Sequence, residues 1–186
     1  MSNHDDLREQ IARKLKANPG MKTAMLAETL GIAEGEVIRA MPGGLATELA
    51  LDRLEELIRG LEPMGLLYVV CRTEACVAEI KGRFAGFSRS GPFFNVAGDN
   101  LHLHLRLDRV AQAFALRHPF DLEQSATSAS LQFFQRDGAS AFKVFLLPAL
   151  KGQVGENVDE AFEGWNALIA KHARVVESQT HGSVMA

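Results

Sequence analysis

Between residues 66 and 147 apolar side chains recur at every second position and turn-forming residues interrupt them every eight to twelve, whereas both flanking segments repeat every three or four. A period of two matches the pleat of a half-buried strand, and a period near 3.6 matches one face of a helix. The chain must therefore set a run of antiparallel strands between helical ends, which is α+β order. Strands are predicted at 66–72, 76–81, 93–97, 101–107, about 111–116, 128–135 and 141–147. Asp137-Gly138 is a strong hairpin signal because both residues accept positive φ, and Gly98-Asp99-Asn100 is a weaker one.

The helical head opens with Leu7, Ile11 and Leu15 and stops at Asn18-Pro19-Gly20. Further helices are expected over 21–30, ending at Gly31, over 33–41, ending at Pro42-Gly43-Gly44, and over 47–60, where Leu51, Leu54, Leu57, Ile58 and Leu61 form a stripe. A C-terminal helix is marked by a capping box, Asn157 with Glu160, and by Val158, Phe162, Trp165, Ile169 and His172 along one side. The expected organisation is a helix-turn-helix-like head over 1–62, an antiparallel sheet with its covering helix over 63–177, and a frayed tail over 178–186.

Charge narrows the function classes. The formal net charge is −3, and the first sixty residues hold 8 Lys/Arg against 10 Asp/Glu. A reader of the DNA major groove needs cations, yet the segment 33–41 presents Glu34 and Glu36 against Arg39 alone, which favours a structural cap over a DNA-binding unit. Cys71 and Cys76 are too few to staple a fold of this size, and with histidines they match no zinc-ligand spacing. The acidic start, Met1-Ser2-Asn3-His4-Asp5-Asp6, carries no apolar run, so a cytoplasmic protein with reduced thiols and no membrane association is expected. Nucleophile elbows, phosphate loops and HExxH motifs are missing from the sequence.

The segment Leu101-His102-Leu103-His104-Leu105-Arg106 alternates strictly, so the leucines face one side of a sheet while His102, His104 and Arg106 face the other. Imidazoles at i and i+2 have Cβ atoms about 7 Å apart and chelate a metal only with help from elsewhere. The plainer reading is a half-exposed strand with a polar side.

Gly86-Phe87, Arg89, Gly91, Phe93-Phe94-Asn95-Val96, Gly98, Asn100 to Leu105, and Leu131-Gln132-Phe133-Phe134-Gln135-Arg136-Asp137-Gly138 running to Lys143-Val144-Phe145 resemble the HutX/ChuX family of intracellular heme-utilisation carriers, a likeness running from about Leu15 to His172. That resemblance implies an α+β protein similar to half of the larger HemS/ChuS-type heme proteins. It implies a homodimer that binds heme b non-covalently in the cytoplasm and passes it to a downstream heme-accepting protein. It places the family's strand histidine, an axial iron ligand, on His104, with His102 as neighbour or alternative. A second histidine of some members falls at Arg72, which cannot ordinarily coordinate iron, leaving five-coordination, His118 or a dimer mate as alternatives.

For heme, Arg72, Arg89, Arg106 and Lys143 are candidate propionate partners, with ordinary strand polarity as the plainer reading. Phe94 and the other strand phenylalanines divide between pocket and core. The resemblance implies a carrier and no catalytic residues; a heme-degrading or heme-reducing enzyme is the second reading and a DNA-binding regulator the third.

Overall fold

The computed structural model describes residues 3–119, 127–146 and 158–174. The head comprises α1 (Asn3–Ala17), α2 (Thr23–Leu30) and α3 (Glu34–Arg39). Gly31 ends α2 in the left-handed region at φ 67°, and the Ile32 amide donates back to the Ala27 carbonyl at 3.1 Å. Ile11, Leu15, Leu26, Val37 and Ile38 pack on Phe114, Leu116 and Phe134 of the sheet. The head thus completes its core with side chains contributed by the body. Four of the six residues of α3 (Glu34, Gly35, Val37 and Ile38) are buried, so the helix that would enter a DNA groove is spent on packing.

The expected helix over 47–60 is shorter than its apolar stripe suggests. Residues 46–48 form a strand, β1 (Ala46–Glu48), paired with a later strand, and the helix α4 starts only at Leu54 and ends at Arg59. Strand pairing satisfies the backbone here at the expense of local helix propensity, and Leu51 is left exposed.

Eight more strands follow: β2 (Leu66–Arg72), β3 (Val77–Arg83), β4 (Ser88–Ser90), β5 (Phe93–Gly98), β6 (Leu101–Leu105), β7 (Gln112–Pro119), β8 (Thr127–Phe134) and β9 (Ser140–Leu146). The helix α5 (Val158–His172) comes last; the expected capping residue Asn157 lies outside the described residues. The strands build two antiparallel sheets instead of one continuous meander, a six-stranded one in the order β1-β7-β8-β9-β2-β3 and a three-stranded one in the order β4-β5-β6. Among the described residues no helix is long and apolar enough to cross a membrane.

The main core lies between the sheets. Leu67, Val69, Leu131, Phe133, Phe142, Val144 and Leu146 from the large sheet meet Phe94, Val96, Leu101, Leu103 and Leu105 from the small one, with α4 and Trp165 of α5 in the same cluster. Leu101, Leu103 and Leu105 are only 0%, 8% and 8% exposed. Burying each contributes about 1.5–3 kcal/mol, and a slip of one residue would exchange them for histidines. The imidazoles therefore point outward as a consequence of leucine burial.

The turns differ in kind from the expectation. The weaker signal makes the tighter connection: Gly98 pairs with Leu101, leaving Asp99-Asn100 as a two-residue loop with Asn100 at φ 57°. Asp137-Gly138 sits in a longer loop closed by the Gln135 amide on the Ala139 carbonyl, beside an irregularity between Phe133 and Phe134. At Gly98 the chain has no room for a side chain, since a Cβ there would lie 1.8 Å from the Arg83 carbonyl oxygen. The small sheet's turn is pressed against the end of β3.

Candidate functional site

The outer face of the small sheet is assembled by register. The Asp99-Asn100 turn puts Ala97 opposite His102 and Asn95 opposite His104, and β4 puts Ser88 opposite Asn95. His102 and His104 are exposed. The Asn95 Oδ1 lies 2.8 Å from His104 Nδ1, and Asn95 Nδ2 donates to Ser88 Oγ at 3.3 Å. Phe93, 38% exposed, stands edge-on to the His104 ring with centroids 6.4 Å apart. Arg106 lies over Phe93 at 5.8 Å and holds Asp108 through two bonds of 2.8 and 2.7 Å. That guanidinium keeps the Asp108 carboxyl below the usual range, with Arg109 adding to it. His104, His102, Arg106 and the apolar Phe93 thus share one accessible face, and His104 has a buttressed Nδ1 with an outward Nε2.

Four other residues singled out from the sequence lie elsewhere, Phe94 and Arg89 because of strand parity and Lys143 and Arg72 because they belong to the large sheet. Phe94 pairs with Leu105 and so faces the core, 1% exposed, stacked on Phe87 at 5.8 Å. Arg89 pairs with Phe94 and shares its side of the sheet, where it is tied to Glu55. Lys143 is buried on the second face of the large sheet and bound to Glu34, so its charge is already matched. Arg72 ends β2 exposed, two positions beyond Val70, which pairs with Lys143; it shares that second face and lowers the Lys143 pKa. None of the four joins the histidine face.

His118, the reserve ligand, is also unavailable there. It is 7% exposed on β7, and its Nε2 donates to the Met21 carbonyl at 2.9 Å. Burial lowers its pKa from 6.5, partly opposed by that bond. The unfolded chain then takes up the proton first, so the neutral ring's contribution is complete above 6.5 and declines as pH falls through the lowered folded value. Urea midpoints compared at neutral pH and near pH 5 should show a loss in the wild type that shrinks in His118→Gln; equal losses would refute the assignment.

Asn95, Ser88 and the exposure of Phe93 were missed in the sequence as site features. A signal did exist: once the two-residue turn is placed at Asp99-Asn100, counting back along both strands sets Asn95 against His104. Among the described residues no group of three or more His, Cys, Asp or Glu is arranged to hold a bare metal ion.

Two antiparallel sheets closed on a common core, with a helical head behind the larger and histidines on the open side of the smaller, define a split-sheet α+β class. The profile of the family described as haem utilisation ChuX/HutX matches residues 47–168, and the chain belongs to that family. The intracellular heme transport protein HutX of Vibrio cholerae is 24% identical over 144 residues, covering 76% of this chain and 73% of that protein. The heme-binding protein ChuX superposes with a TM-score of 0.71 at 18% identity, covering 89% of this chain and 97% of ChuX. The heme-degrading enzyme ChuS of Escherichia coli gives a TM-score of 0.69 at 14% identity over 94% of this chain but 49% of ChuS, so the fold corresponds to one half of that larger protein.

Proposed function

We propose that this protein is a non-enzymatic carrier that binds heme b reversibly and passes it to a downstream heme-accepting protein in heme-iron utilisation. The observation that carries the reading is the exposed His104, whose Nε2 takes no hydrogen bond among the described residues while Nδ1 is engaged by Asn95. Heme iron accepts a neutral imidazole nitrogen, and the macrocycle needs an apolar surface beside it and cations for its propionates. Phe93 offers that surface, and Arg106, paired with Asp108, sets a guanidinium at the same end that would exchange that partner for a propionate. His102, one pleat away, is the neighbouring or alternative ligand.

A single imidazole on an open strand suits a carrier. His118 and His172 are 7% and 1% exposed, and Arg72 lies on the other sheet, so none of these three brings a second axial ligand to the histidine face. Release then requires breaking one protein–iron bond. A cytoplasmic location accords with the relative named as an intracellular heme transport protein; the homodimer rests on the family likeness.

Titration of the purified apoprotein with hemin, followed by ascorbate under air, tests both the binding and the absence of turnover. A saturable Soret band that survives reductant is the expected result. Absence of saturable binding overturns the reading, and loss of the band with release of iron transfers the protein to the heme-degrading class.

A further inference from the structure

We propose that Asn95 and Ser88 are positioning residues that hold the neutral His104 ring as its Nδ1–H tautomer, so that Nε2 is presented as a ready lone pair. The heme reading above gives this arrangement its purpose, but the arrangement is a property of the protein alone. Three strands contribute one residue each in direct register: Ser88 on β4 opposite Asn95 on β5, and Asn95 opposite His104 on β6.

The order of donors along this row is what matters. A serine hydroxyl can donate or accept, a carboxamide has one end of each kind, and a neutral imidazole has one nitrogen of each kind. With Asn95 Nδ2 donating to Ser88 Oγ at 3.3 Å, the Oδ1 end is turned toward His104 Nδ1 at 2.8 Å. A carbonyl oxygen only accepts, so the facing ring nitrogen must carry the proton. The remaining lone pair then lies on Nε2. Imidazoles that ligate metals characteristically donate their other N–H to a fixed acceptor, which sets ring orientation and the identity of the ligating nitrogen. Among the described residues His102 has no such partner, since the residue opposite it is Ala97. This difference distinguishes two histidines that the alternating sequence makes look alike, and it selects His104.

The partner is an amide where a carboxylate could have stood. A carboxylate would raise the basicity of the ring and tighten its hold on iron. The neutral acceptor fixes orientation without setting a negative charge beside the ring, in keeping with a ligand that must let go.

Long-range 15N–1H correlation spectra of the full-length apoprotein, recorded near pH 8.5, about two units above the ordinary histidine value, report the tautomer directly. The expected result is a predominantly Nδ1–H ring for His104 in the wild type and a mixture in Asn95→Ala, with a smaller drift in the exposed-site variant Ser88→Ala. An Nε2–H ring in the wild type, or a tautomer that ignores both substitutions, overturns the proposal. Hemin titration of the same samples separates the two readings. Weakening of about 10–100-fold in Asn95→Ala, the usual cost of losing an outer-shell partner, with recovery in Asn95→Asp, supports the positioning role. Unchanged hemin affinity in Asn95→Ala beside a changed tautomer counts against it. If the wild type shows the Nδ1–H ring but fails to bind hemin, the heme reading fails while the positioning stands.

Discussion

His104→Ala is expected to weaken hemin binding by at least about 100-fold and to shift the Soret band, whereas His102→Ala should cost less than about tenfold and leave the band in place. The lower bound follows from the outer shell: removal of a residue that merely orients a metal ligand costs about 10–100-fold, so deletion of the ligand must cost at least as much. Neither substitution should disturb the fold, because both side chains are exposed and the leucines that alternate with them carry the packing. The asymmetry comes from the residues opposite. His104 faces Asn95 and stands against Phe93, while His102 faces Ala97 and has no ring beside it among the described residues. Free imidazole added to His104→Ala should restore part of the Soret intensity by filling the vacated position. If both single variants bind as the wild type does, the ligand lies elsewhere and the site assignment is wrong. If the two variants exchange roles, the buttress on His104 is irrelevant to ligand choice.

The alternation that singled out His102 and His104 was legible because burial on one face of a strand forces exposure on the other. Leu101, Leu103 and Leu105 had only one way to be buried together, and the histidines followed. The antiparallel, α+β character was legible for the same reason. Division into two sheets was not. Local periodicity describes each strand's faces but not its neighbours, and the chain leaves the large sheet after β3 and returns at β7. Phe94 and Arg89 were ambiguous in sequence until the register of β4, β5 and β6 assigned their parity. Lys143 illustrates the deeper difficulty. Its place in a strand suggested a solvated cation, yet its partner Glu34 lies on a helix more than one hundred residues earlier, and sequence spacing carries no sign of that meeting.

That pair should govern stability more than any surface ion pair in the molecule. Glu34 and Lys143 are 9% and 7% exposed, and Thr23 donates its hydroxyl to the same Glu34 oxygen that binds the ammonium. The three groups join α2 and α3 of the head to the central strand β9 of the body. Burial lowers the Lys143 pKa and Glu34 opposes that shift, while the nearby Arg72 adds to it. Removing one partner leaves the other's charge buried without compensation, which costs about 3–5 kcal/mol; exposed ion pairs in general contribute only about 0–1 kcal/mol. Glu34→Gln and Lys143→Met should each lower the urea midpoint accordingly, and the double variant Glu34→Leu/Lys143→Met should regain most of the loss, because it leaves no charge to desolvate. The sign of the pH dependence gives a separate check. In Glu34→Gln the folded state holds the Lys143 proton more weakly than the unfolded chain does, so the unfolded state binds more protons and stability must rise with pH toward the ordinary lysine value of 10.5. In Lys143→Met that rise should vanish. Single variants within about 1 kcal/mol of the wild type, the range of an exposed pair, would show instead that water reaches the pair and that the head is held to the sheet by its apolar contacts alone.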